Sequence, residues 1–445
     1  MVDEQFELTI DDSEQNTLGS GGQGIVYEVN FQGRTWACKW YTAEAILNNP
    51  RFKMNLINNT KMDSPDECFV WPQHFVESRD GGYGYLMDKI PDNYVKFTNI
   101  YLGKRRVRNP RTGKKETVEV RFKNIETQLT AAINIINALR TFHRKGMAYF
   151  DINDGGFFID PDTGDARICD CDNASASGGE SPLVYGKPGY MAPEIVANGV
   201  TPDRETDFHS IAVILFQMFV GGHPYDGEKL RGIMWTDENM KRFYGNDAVF
   251  IYHPKDSSNR PIKGVHTNPL RLWPLMPKKM KDKFIRTFVD GMNCPSKRTT
   301  DNGWLEALYQ FKGLMVKCCQ DYSEIADDAA IKKGIYVCPY CGHEYKILTV
   351  GTDPIVANKG KPIYSISIGE KKADKIIGMI AEKKTQNGII TGLVNKTDCI
   401  WTVSYPGGAT TEIKPGEGGP LTRGAIINLI DKEDDKTIRV QGRVN

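Results

Sequence analysis

A glycine-rich turn between two strand-like runs, with one lysine centred in the second run, limits the fold of this chain more than any other feature. Gly19-Ser-Gly-Gly-Gln-Gly-Ile-Val26 places glycine at Gly19, Gly21 and Gly24, with Val26 two residues on. Val26-Tyr-Glu-Val and Thr35-Trp-Ala-Cys-Lys-Trp alternate as half-buried strands. Glycine lets backbone N–H groups approach an anion without side chains in the way, although a plain glycine-rich hairpin has the same composition. Thirteen residues after Val26 comes Lys39. A lone lysine is usually a solvated surface charge, but one in the middle of an apolar strand after such a loop is placed to meet phosphate oxygens.

Two aspartates extend the pattern. Asp151 follows the aromatic pair Tyr149-Phe150 and precedes the apolar run Gly156-Phe-Phe-Ile, where a carboxylate can accept the proton of an attacking hydroxyl. Nineteen residues later, Asp170 ends the apolar run Ile168-Cys, and Asp172 follows it. A hard carboxylate oxygen there suits Mg²⁺ bridging phosphates. Either aspartate alone reads as a loop cap. Two at this separation, each beside an apolar strand, are a pattern. Tyr85-Leu-Met-Asp-Lys-Ile90 runs from an apolar strand into a polar segment, suited to a hinge whose backbone meets a nucleobase and equally to an ordinary core strand.

Gly186-Lys-Pro-Gly-Tyr-Met-Ala-Pro-Glu194, Glu205-Thr-Asp207 and Pro295-Ser-Lys-Arg298 complete an ordered set. The set resembles the eukaryotic-type (Hanks-type) Ser/Thr protein kinases, from about Leu18 to Phe311. The resemblance implies an α+β, bilobal kinase fold with a β-rich N-lobe and a helical C-lobe. It also implies ATP and Mg²⁺, with Mn²⁺ as the alternative cation, and transfer of the γ-phosphoryl group to a protein Ser or Thr. Carried over residue by residue, it makes Gly19, Gly21, Gly24 and Val26 the phosphate loop and Lys39 the phosphate-binding lysine. Met87 stands at the gatekeeper position, with Asp88 and Ile90 in the hinge. Asp151 becomes the base and Asp170 the metal aspartate. Glu194 with Arg298, and Asp207, take structural roles. A narrower likeness, on Asp151-Ile-Asn-Asp-Gly, Asp170-Cys-Asp-Asn, Tyr244-Gly and Asn259-Arg-Pro, is to a bacterial subgroup encoded with a von Willebrand-type protein and a PP2C-type phosphatase, both implied as partners.

Four positions depart from that family. Tyr149-Phe150 replaces His-Arg, Asn153 replaces the usual lysine, Gly156 replaces the metal-binding asparagine, and Asp172 replaces a glycine. The stretch where a helical glutamate should pair with Lys39, Phe52 to Thr60, has no acid, and Glu44 is the nearest. Two compensations are expected: Lys187 supplies the charge missing at Asn153, and Asp172 supplies a second metal carboxylate. The alternative is a catalytically weak or inactive pseudokinase that acts as an ATP-binding scaffold. Ser175, Ser177, Ser181 and Tyr185 lie between Asp170 and Ala-Pro-Glu194 as candidate autophosphorylation sites.

The bulk properties agree with a cytoplasmic globular protein. Lys plus Arg number 57 against 56 Asp plus Glu, so no net charge selects nucleic acid or membrane. The acidic start, Met1 to Glu14, does not read as a signal peptide. The longest apolar run, Ile211 to Val220, is interrupted by Gln217 and is about half a membrane span, so a buried helix is expected there. Lys104 to Lys123 holds nine Lys and Arg but few aromatics, which favours a solvated hairpin over a nucleic-acid surface.

The expected division is an N-lobe over 1–90, a C-lobe over 91–320, a linker over 321–362 and a β-rich domain over 363–445. Cys338-Pro-Tyr-Cys341-Gly-His343 in the linker has the spacing of a zinc half-site. A closed site needs four ligands, and His343 and Cys318-Cys319 are the nearby donors, so a structural Zn²⁺ and a metal-free tight turn both stay open. The segment from Ile363 to Val440 resembles a divergent forkhead-associated-type β-sandwich. It has no histidine, so phosphopeptide binding is not expected.

Overall fold

A computed structural model describes residues 7–48, 52–109, 111–173, 175–176, 186–370, 373–386, 388–433 and 436–445. The chain divides into two compact units, one of residues 1–123, 130–270 and 287–298, the other of 124–129, 271–286 and 299–445.

The first unit opens with an antiparallel sheet of β1 (Thr17–Ser20), β2 (Gly24–Phe31), β3 (Arg34–Tyr41), β4 (His74–Glu77) and β5 (Tyr83–Asp88), in the order β1-β2-β3-β5-β4. The register sets Val26 opposite Lys39, and Ala37 opposite Met87. Between β3 and β4 run two short helices, α1 (Ala43–Asn48) and α2 (Phe52–Asn59). The rest of the unit is largely helical. Ala132, Ile133, Ile136 and Leu139 are buried on the part of the helix Ile125–Arg144 that lies in this unit, as its 3.6-residue period requires. The apolar run at Ile211 lies in the helix Arg204–Val220, which is buried from Thr206 onward. A capping box between Asp203 and Thr206 starts it, and Gly221, at φ 69°, ends it. No described helix is long and apolar enough to cross a membrane. The basic stretch forms the expected hairpin, Lys104–Arg108 against Lys115–Glu119.

In the second unit, the helices Lys278–Ile285 and Asp301–Leu314 pack through Phe284 and Trp304, whose rings lie 4.9 Å apart. Helix Asp301–Leu314 falls in this second unit. Beyond it lie two antiparallel sheets. One joins Ile335–Val337, Glu344–Val350, Lys436–Val444, Ile426–Glu433, Trp401–Ser404 and Thr410–Ile413, with Asp353–Val356 also on Glu344–Val350. The other joins Pro362–Tyr364, Ile376–Thr385, Gly388–Asn395 and Gly418–Pro420. Leu348, Ile363, Ile380, Leu393, Val403 and Leu429 enclose Trp401 from both sheets. The β-domain thus begins before the expected residue 363, because Glu344–Val350 pairs with the C-terminal strand, Leu348 opposite Val444. The run Tyr364-Ser-Ile-Ser-Ile, although it alternates as a strand would, winds after Tyr364 into a single turn that Gly369 ends at φ 87°.

Candidate active site

A cleft of about 780 Å³ in the first unit gathers the residues that the sequence singles out. Gly19, Gly21, Gly24, Val26, Lys39, Met87, Asp88, Ile90, Asp151, Asp170 and Lys187 all line it. Leu18, Val26 and Ala37 from the first sheet, with Phe158 and Cys169, make an apolar slot of a size suited to a small ligand. A larger groove of about 1250 Å³ in the second unit gathers none of these groups.

The glycines of the loop do different work. A Cβ on Gly24 would meet the Trp40 carbonyl oxygen at 2.3 Å, so glycine is needed there for β2 to pack on β3. Gly19 and Gly21 have nothing within 4 Å of a Cβ, leaving open space over the cleft for an anion to reach backbone N–H groups.

Lys39 is 5% exposed, and its Nζ lies 3.0 Å from Asp170 Oδ1 and 2.7 Å from Asp172 Oδ2. Burial opposes its charge, but the two carboxylates, Asp172 before Asp170, outweigh burial and raise its pKa above the ordinary lysine value. The Tyr41 hydroxyl, two residues along β3 and on the same face, donates to the same Asp172 oxygen. Asp172 Oδ1 is buried with no hydrogen-bond partner. Asp172 was expected to supply a second metal carboxylate. It does not line the cleft; it is enclosed, and its one bonded oxygen is taken by Lys39 and Tyr41. Glu44 sits exposed on α1, and the ion-pair partners of Lys39 among the described residues are these two aspartates.

Asp170, just after the strand Ala166–Ile168, has φ 60°, a left-handed conformation costly for a residue with a side chain. Lys39, before any other cause, pulls its carboxyl below the ordinary aspartate range. Asp151 follows a second such residue, Phe150 at φ 66°. Asp207 holds that turn: its carboxylate accepts from Tyr149 N at 2.6 Å and Phe150 N at 3.2 Å, with His143 Nε2 at 3.2 Å. Tyr149 is buried against Phe69 and Phe142. Asn153 Nδ2 donates to Asp151 Oδ1 at 2.8 Å. Desolvation pushes the Asp151 carboxyl up to about 6, the Asn153 bond opposing it. Gly186 comes so close that a Cβ there would lie 2.7 Å from Asp151 Oδ1.

Lys187 pairs with Asp154 Oδ1 at 2.9 Å, and its side chain is 56% exposed. Asp154, Tyr41 and the aspartate-holding role of Asn153 were not anticipated; of these, only Tyr41 carried a signal, the two-residue strand period from Lys39. Glu194 and Arg298 form a bidentate pair with both bonds at 2.7 Å. Arg298 also donates to the Gly291 and Glu205 carbonyls. Ser177, Ser181 and Tyr185 lie outside the described residues, while the Ser175 backbone pairs with Ala148. Cys338 and Cys341 lie in the second unit beside Cys318 and Cys319.

Comparison with known proteins agrees with this geometry. Residues 94–307 match the family model for the protein kinase domain. The match begins beyond the first sheet, so the glycine loop and Lys39 rest on the geometry above. A probable serine/threonine-protein kinase from Zea mays, CCRP1, is 26% identical over 220 residues, 48% of this chain and 32% of the relative. Protein kinase YegI from Escherichia coli is 23% identical over 312 residues, 68% of this chain and 45% of the relative. The probable serine/threonine-protein kinase PknB of Bifidobacterium longum is 29% identical over 109 residues, 23% of this chain and 16% of the relative. The chain spans less than half the length of each. Over residues 94–307 this chain is therefore similar to the protein kinase domain, and it is similar in part to a probable serine/threonine-protein kinase and a protein kinase of bacteria.

Proposed function

We propose that the chain is an active Ser/Thr protein kinase, moving the γ-phosphoryl group of ATP to a protein hydroxyl. The observation that carries this reading is the convergence of Lys39, Asp151 and Asp170 on one cleft that also has an apolar slot and an open glycine loop. In this reaction the hydroxyl oxygen bonds to the γ-phosphorus, the bond to the bridging oxygen breaks, and ADP leaves. The hydroxyl proton goes to Asp151, whose carboxylate is turned by Asn153. With a pKa near 6 this group is ionised at neutral pH and still basic enough to share the proton as the bond forms.

Lys39 meets the α- and β-phosphates, held by Asp172, whose carboxylate also accepts from the Tyr41 hydroxyl. Asp172 thus replaces the helical glutamate that α2 lacks. Its engagement, and the absence of a side chain at Gly156, leave Asp170 as the carboxylate that would hold Mg²⁺ or Mn²⁺. When bound, that cation draws charge from the β- and γ-phosphate oxygens. Lys187, beside Asp154 on the cleft wall, adds positive charge near the γ-phosphate. The substrate is a protein Ser or Thr, with Ser175, Ser177 and Ser181 of this chain as candidates and Tyr185 as an exceptional one. By the narrower resemblance, a PP2C-type phosphatase and a von Willebrand-type protein complete the proposed set of partners, and the β-domain is a divergent forkhead-associated-like docking module.

Incubation with γ-labelled ATP and Mg²⁺ tests the activity. Label is expected on the wild-type chain or a generic protein substrate, and not with Asp151→Asn. A nucleotide-induced rise in melting temperature without any label would replace this reading with that of an ATP-binding scaffold.

A further inference from the structure

Four cysteines that lie apart in sequence meet in the second unit. Cys318 and Cys319 fall in the connection between Met315–Val316 and Glu324–Ile325, which pair as a hairpin. Cys338 and Cys341 fall in the turn between Ile335–Val337 and Glu344–Val350, a second hairpin. Each hairpin contributes two sulfurs, and all four lie within 4.8 Å of one another.

The local geometry of the second turn serves its sulfurs. Cys338 N donates to the His343 carbonyl at 2.9 Å and Gly342 N to the Cys338 carbonyl at 2.9 Å, closing a tight loop. Gly342, at φ 70°, takes the left-handed conformation that turns the chain back.

Three uses of four clustered thiols can be separated by distance. A disulfide needs sulfurs about 2.05 Å apart. The closest pairs here are Cys318 with Cys341 at 3.5 Å and Cys319 with Cys338 at 3.7 Å, and all four cysteines are free. Packing alone explains Cys338, which is 1% exposed in a small core with Val316, Tyr336 and Tyr345, but not the exposed Cys319 and Cys341 turned toward it. A tetrahedral zinc with Zn–S bonds of about 2.3 Å sets its sulfurs roughly 3.8 Å apart, close to the observed pairs. His343, the other nearby donor, packs its exposed ring on Tyr345 at 4.5 Å between centroids.

We propose that Cys318, Cys319, Cys338 and Cys341 bind one Zn²⁺ as a closed, structural tetrathiolate site that staples the two hairpins together. No ligand position is left for substrate, so the metal has no part in catalysis. Its task is to hold a core of a few residues that is too small to do so alone. The site stands independently of the kinase reading.

Elemental analysis of the chain, purified without chelator, tests it directly. One zinc per chain is expected, released in step with the modification of four thiols by an organomercurial. Reconstituting the wild-type chain with Co²⁺ should give the thiolate charge-transfer and intense d–d absorption of tetrahedral sulfur coordination, so the test does not depend on a variant folding. Cys318→Ser and Cys341→Ser should each lose stoichiometric zinc. No zinc, iron in its place, or native Cys318–Cys341 and Cys319–Cys338 disulfides would each overturn the proposal.

Discussion

Two buried cation–carboxylate clusters of the first unit, at Arg298 and at Lys39, are built for opposite ends. Arg298, fully enclosed, meets Glu194 through two bonds of 2.7 Å and donates two more to the Gly291 and Glu205 carbonyls. Glu194 edges a separate cavity of about 460 Å³, but Arg298 does not line it. Lys39 is nearly as buried but shares its charge between two carboxylates, one enclosed with an unpartnered oxygen and one on the cleft wall in a left-handed conformation. Strain and unmet hydrogen-bonding capacity gather at Lys39 and are missing at Arg298. A buried pair that is satisfied on every side anchors the fold, whereas one left incomplete beside a cavity is prepared for a further charge.

Substitutions at the two clusters should therefore separate stability from chemistry. The largest effect is expected from Arg298→Met, which strands the Glu194 carboxylate. Removing one partner of a buried pair costs about 3–5 kcal/mol, on the order of 10 °C in melting temperature. Thermal denaturation reads this, and an unchanged midpoint would put the two clusters in the same class. Asp172→Asn keeps the shape but removes the charge holding Lys39. A charge-assisted bond worth about 1.5–3 kcal/mol makes kcat/KM for ATP fall roughly 10- to 100-fold. Steady-state kinetics at wild-type values would deny Asp172 the task of the missing helical glutamate.

The Asp151 carboxyl, raised by burial to about 6, must be ionised to take a proton. Phosphoryl transfer should accordingly fall as pH drops through about 6, close to tenfold between pH 7 and pH 5. A rate flat across that range would exclude Asp151 as the group observed. Lys187→Ala should give the smallest change, a few-fold in kcat, because its exposed ion pair with Asp154 is screened by water. A loss as large as that of Asp151→Asn would make Lys187 part of the central charge cluster.

What could be read from sequence followed how local the signal was. The glycine loop, Lys39, Asp151 and Asp170 announce themselves through spacing within a few strands, and all line one cleft. The partner of Lys39 did not. The expected helix carries no acid, and the carboxylate that serves lies 133 residues away, next to a motif that suggested metal binding. The cluster of four cysteines was legible only in part, as Cys338 and Cys341, since Cys318 and Cys319 are adjacent residues and lack the two-residue gap that marks a ligand pair. The early start of the β-domain was hidden for a similar reason: Leu348 finds its partner at Val444, and no local pattern reports a pairing of that range.

The central claim is that Lys39 and Asp170 are incomplete because a metal-bound triphosphate completes them. A crystal structure of the chain with Mg²⁺ and a non-hydrolysable ATP analogue measures this directly. The account predicts Lys39 Nζ at about 3 Å from α- and β-phosphate oxygens, still bonded to Asp172, and the Asp170 carboxylate on the Mg²⁺ at about 2.1 Å. A triphosphate seated elsewhere, or a nucleotide bound with Lys39 and Asp170 paired only to each other, would contradict it.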